Sequence, residues 1–118
     1  SSGCDPVSLT VLGIGSSTGI QHTLAGMSYR TFTAPLTKVQ SAAVTALGRM
    51  SIKVAATEKT ESGILIKAST KEREIEIQLE SLSANTTRMR SIARNGVFMD
   101  ASTATEIIIQ TEKVMGVS

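Results

Sequence analysis

Within residues 73–82, Ile75, Ile77 and Leu79 alternate strictly with Glu74, Glu76, Gln78 and Glu80. That period of two belongs to a strand with one buried and one wet face, because successive side chains point to opposite faces of a sheet. Such a strand needs neighbours, and the adjoining sequence supplies them on both sides. Ile64, Ile66 and Ala68 precede it across a turn at Lys71-Glu72; setting Ile66 opposite Ile77 also sets Lys67 opposite Glu76. After Ser83-Ala84-Asn85, a further strand is predicted over 87–94. Placing Leu79 opposite Met89 brings Ile77 to Ser91 and Ile75 to Ala93 on the inner face. On the outer face it brings Glu80 to Arg88, Gln78 to Arg90 and Glu74 to Arg94. One register therefore satisfies both faces at once.

Flanking this run are a strand at 28–33 carrying Tyr29 and Phe32, and a helix over 35–47 in which Leu36, Val39, Ala43, Ala46, Leu47 and Met50 recur at three and four residues. Gly48 is expected to supply the left-handed cap of that helix, beside Arg49. Ile52, Val54 and Ala56 then form a strand facing inward with Val54 opposite Ile66, and Glu58 to Gly63 turns the chain. Asn95-Gly96 ends the meander. A last helix follows, capped by Asp100 or by a Thr103-x-x-Glu106 capping box, with Ala104, Ile107, Ile108, Thr111, Val114 and Met115 on one side and Gly116 at its end. The pattern predicts an α+β fold: a mostly antiparallel sheet of about five strands with two helices on one face, in the order β-α-β-β-β-β-α. A glycine-rich arm over 1–27 precedes this single domain of 28–118.

A chain of 118 residues can bury roughly two-thirds of its unfolded surface without disulfides or metal. Hydrophobic residues make up 41% and aromatics 3%, so the core must be aliphatic, and platforms for stacking bases or sugars are not expected. A net charge of +2 gives no nucleic-acid footprint. His22 is the only histidine and has no ligand cluster around it in sequence, and Gly13, Gly15 and Gly19 lack the dinucleotide-binding spacing. No cofactor or metal is expected. Glu58 and Glu61, or Glu74, Glu76 and Glu80, read as a solvated turn and a solvated strand face, and no nucleophile is paired with a base. A non-enzymatic protein is the expectation.

Ser2-Gly3-Cys4 resembles the end of a bacterial lipoprotein signal peptide, with Ser1 departing from the leucine usual there. The resemblance implies lipidation of Cys4 and gives Asp5 a sorting role in the envelope. With Gly3-Cys4, the glycine-rich stretch from Gly13 to Gly26, Ala34-Pro35-Leu36-x-x-Val39, the strands from Gly63 to Leu79 and the Arg94-Asn95-Gly96 turn, nearly the whole chain resembles a family of small proteobacterial lipoproteins known as domain of unknown function 3568. That resemblance implies export and membrane anchoring, and no reaction.

Val7, Leu9, Val11, Leu12, Ile14 and Ile20 make the arm an expected contact for a partner, since β-branched residues suit an added strand. Arg88, Arg90 and Arg94 read either as an anion or lipid-headgroup patch or, by preference, as neutralising partners of the acidic strand. The leading expectation is a periplasm-facing lipoprotein, held in the inner or outer membrane through Cys4, that serves as an accessory or structural subunit of an envelope assembly with a protein partner or further copies of itself. The alternatives are a small-ligand or lipid-binding module with an aliphatic pocket between helices and sheet, and a fibre subunit that exchanges the arm as a strand.

Overall fold

The computed structural model describes residues 21–22 and 27–116. Its elements in chain order are β1 (Gln21–His22), β2 (Ser28–Phe32), α1 (Leu36–Arg49), β3 (Lys53–Lys59), β4 (Gly63–Ser69), β5 (Arg73–Ser83), β6 (Thr86–Asn95), β7 (Phe98–Met99) and α2 (Ala101–Met115). The strands form one sheet in the order β1-β2-β6-β5-β4-β3, every pair antiparallel, with β7 added to β6. Helix α1 carries the chain from β2 across to the far edge, whence β3 to β6 return as a meander. The two helices pack side by side on one face, giving the α+β class the sequence predicts.

The core lies between helices and sheet. Ile66, Ile75, Ile77, Leu79 and Met89 rise from the strands to meet Val39, Ala43 and Leu47 of α1 and Ala104, Ile107 and Ile108 of α2, with Phe32 the aromatic among them. The central registers are those the alternation requires: Ile66 faces Ile77 and Lys67 faces Glu76, while Leu79, Ile77 and Ile75 face Met89, Ser91 and Ala93. Two polar groups on the buried face close onto other elements, Thr87 donating to the Ala34 carbonyl at 2.8 Å and Ser28 sharing a 2.9 Å hydrogen bond with Thr105 of α2.

Strand β3 departs from expectation. Val54 pairs with Ala68 rather than Ile66, a bulge follows it, and Thr57 takes the place opposite Ile66. All seven residues of β3 are exposed, Ile52 being buried just before the strand begins. The strand lies at the sheet edge, where no inward face has to be filled; a bulge is an ordinary device there.

Gly48 is not the helix cap. It is an exposed helical residue of α1, which runs on to a C-cap at Met50. Ser51 instead takes the left-handed conformation, at φ 61°, donating its N–H to the Gly48 carbonyl while the Ile52 N–H reaches the Leu47 carbonyl at 2.9 Å. This is the Schellman pairing, with buried Ile52 packing in the same core cluster as Leu47. A Cβ at position 48 would meet nothing within 4 Å. Gly48→Ala is therefore expected to raise stability by about 0.5–1 kcal/mol through helix propensity alone. A lowered thermal midpoint would return the cap to Gly48.

Helix α2 starts at an Asp100 N-cap, one of the two predicted. Thr103 is the donor in that cap rather than the head of a capping box, and Glu106 accepts from Gln110 one turn on. Gly116 ends the helix in the left-handed conformation, at φ 78°.

Candidate interaction surfaces

The face of the sheet away from the helices is where alternation sends the charges of β5 and β6. Glu80 faces Arg88, Gln78 faces Arg90 and Glu74 faces Arg94. Arg88 forms an ion pair with Glu80, and Arg90 donates to the Gln78 side-chain oxygen at 2.8 Å while its guanidinium lies 5.4 Å from the Tyr29 ring centroid. The Arg90 Nε is buried without a hydrogen-bond partner, and Arg94 is exposed. The three arginines thus share one face, with Arg88 and Arg90 already engaged by side chains of the next strand. Lys67 and Glu58 make a further exposed pair at 3.5 Å. Half-exposed pairs of this kind contribute at most about 1 kcal/mol each and chiefly fix register.

At one end of the sheet, Asp100 accepts from the Thr103 hydroxyl at 2.7 Å, from Arg73 Nε at 2.6 Å and from the Thr103 backbone N–H at 3.1 Å. These contacts, the Thr103 hydroxyl foremost, lower the Asp100 pKa from 3.8 to about 2, and the hydrogen bond from Arg73 to Asp100 raises that of Arg73. Because the folded-state pKa lies below the unfolded one, the stabilisation is present above about pH 4 and is lost as pH falls towards 2. Asp100→Asn keeps a cap acceptor but cannot ionise. The variant is expected to be less stable than the parent at neutral pH, with the gap in thermal midpoint closing between pH 4 and 2; a gap that does not change with pH would refute the assignment.

The same end carries a feature that neither the strand nor the helix pattern predicts. Val97, Phe98 and Met99, at the turn from β6 into β7, are exposed apolar residues in succession. The signal was present in the sequence: this run follows the Asn95-Gly96 break and precedes the Asp100 cap, so it belonged to neither the predicted meander nor the predicted helix. Nearby, between the α1–β3 and β4–β5 turns, an open depression of about 610 Å³ is lined by Ser51, Lys53, Ser69, Thr70, Lys71 and Glu72.

Cys4, Asp5, Val7, Leu9, Val11, Leu12, Ile14 and Ile20 lie outside the described residues. The backbone of His22 is placed, in β1 opposite Ser28. Among the described residues no group of three or more His, Cys, Asp or Glu is arranged to hold a metal, and no helix is long and apolar enough to cross a membrane.

Among curated proteins none matches the chain. A family model does, over residues 1–113, and the chain belongs to the family described as protein of unknown function (DUF3568).

Proposed function

We propose that this protein is a membrane-anchored, periplasm-facing lipoprotein that acts as a non-catalytic accessory or structural subunit of an envelope assembly. The observation that carries the reading is what its paired charges do. Arg30 and Glu112 join β2 to α2, Arg73 and Asp100 join β5 to α2, and Arg88 and Glu80 join β6 to β5. Each pair fastens two elements together, as befits a rigid domain that presents surfaces rather than one that does chemistry on a substrate. The Ser2-Gly3-Cys4 sequence supplies the anchor in this reading, with Asp5 bearing on the choice of membrane and the apolar residues from Val7 to Ile20 reaching a protein partner or a second copy.

The intact mass of the native protein, extracted from membranes with detergent, tests the anchor. A mass beginning at Cys4 and including added lipid is expected; a mass without lipid would remove the membrane from the proposal. Deleting residues 7–26 then tests assembly, with a cooperatively folding domain that no longer co-purifies with its partner as the expected product. Undiminished co-purification would sink the role given to that segment.

A further inference from the structure

The β6–β7 turn leaves three consecutive apolar side chains in solvent: Val97 is 90% exposed, Phe98 74% and Met99 38%. Their placement is dictated by the hairpin. Gly96 takes φ 67° to reverse the chain, Phe98 pairs with Asn95, and Met99 pairs with Arg94. Strand alternation sends Phe98 and Met99 to opposite sides, with Val97 in the turn between the strands. A groove on a folded partner would cover one side of such a tip. A fluid apolar medium covers all of it.

The end of the domain that carries the tip has the sign of charge such a medium would need. The strand registers and the helix ends bring Arg49, Lys53, Lys71, Arg73 and Arg94 to this end of the domain. The acids there are Glu72, Glu74 and Asp100; Asp100 is bound by Arg73 and Glu74 stands opposite Arg94, which leaves Arg49, Lys53 and Lys71 against Glu72. Exposed apolar residues on the same end of a domain as an excess of cations are the composition of an interfacial anchor for anionic lipid, whose surface is broad enough to meet both.

We infer that the 97–99 hairpin tip inserts into the interface of an anionic phospholipid surface, as a contact made by the folded domain itself. The contact does not require acylation of Cys4, so it is tested on the chain without lipid and stands or falls separately from the proposed anchor. Because the sequence contains no Trp, Phe98→Trp places a single fluorescent reporter in the tip. Leu82→Trp places one at the opposite end of the sheet, where Leu82 is also exposed.

With vesicles of phosphatidylethanolamine and phosphatidylglycerol, Phe98→Trp emission is expected to shift to the blue and Leu82→Trp emission to stay where it is. Raising salt, or substituting phosphatidylcholine vesicles, should weaken the shift. The double variant Val97→Ser, Phe98→Ser is expected to co-sediment with the anionic vesicles about tenfold less than the parent, with an unchanged thermal midpoint because both side chains are exposed. The inference is overturned by an unshifted Phe98→Trp, by an equal shift at position 82, or by co-sedimentation that survives the double substitution. A blue shift that grows with protein concentration in the absence of vesicles would also overturn it, assigning the tip to a second copy of the chain.

Discussion

Gly63→Ala is expected to cost about 3 kcal/mol or more and to leave the domain largely unfolded under conditions where the parent is folded. A Cβ at this position would lie 1.8 Å from the Leu79 carbonyl oxygen and 2.9 Å from its carbon, both backbone atoms that no rotamer change can move. Relief requires β4 and β5 to separate at the place where Gly63 pairs with Glu80 and Ser81 donates to the Ser62 carbonyl at 2.8 Å. Overpacking ordinarily costs about 1–3 kcal/mol, and here the obstacle is the ladder itself. Chemical denaturation of Gly63→Ala beside Gly48→Ala makes the comparison direct. The same added methyl should stabilise at 48, where space is open, and severely destabilise at 63. A denaturation midpoint for Gly63→Ala close to that of the parent would show that the two strands yield more readily than their hydrogen bonding implies.

Gly63 also marks what the sequence could and could not convey. It was legible as a residue at a turn, but its close approach to Leu79 depends on how two strands cross, which no local pattern encodes. The β4-β5-β6 registers were legible because both faces of β5 carry information: isoleucines and a leucine demand burial on one, and acidic residues demand partners on the other. Strand β3 has an exposed side chain at every position, so an apparent alternation of Ile52, Val54 and Ala56 had no core to fix it and its register was misplaced. The end of α1 departs from expectation for a related reason. Glycine is the common left-handed residue, yet Met50 continues the apolar stripe of the helix beyond Gly48, and the burial of Ile52 sets the reversal at Ser51.

The candidate surfaces divide in the same way. The facing of Arg88, Arg90 and Arg94 towards β5 followed from strand alternation, whereas the stacking of Arg90 on Tyr29 required knowing that β2 pairs with β6. Counting by twos along β2 puts Ser28, Arg30 and Phe32 on the buried face, so an arginine was bound to point under a helix. Glu112 stands four residues after Ile108 on the buried stripe of α2. Each taken alone is a charge in the wrong place, and each explains the other across 82 positions of sequence.

Removing Glu112 should therefore be the most damaging change among the ion pairs. Its side chain is 4% exposed and that of Arg30 17%, and the guanidinium also lies 4.9 Å from the Phe32 ring centroid. Taking one member from a buried pair leaves the other charge with its desolvation cost and without its counter-ion, at about 3–5 kcal/mol; the residual exposure of Arg30 lowers the expectation for Glu112→Leu to about 2–3 kcal/mol. Replacing both members removes the charge problem altogether. Arg30→Met combined with Glu112→Leu is expected to recover most of the loss, because the two side chains then extend the apolar contact between β2 and α2. The decisive quantity is the coupling energy from a double-mutant cycle of denaturation midpoints. If the double variant is as unstable as the sum of the single ones, the pair is not a coupled unit and the attachment of β2 to α2 rests on Ser28, Thr105 and the surrounding apolar packing instead. If it recovers, the domain keeps this buried pair at no net gain in stability, and its value lies in fixing how the first strand seats beneath the last helix.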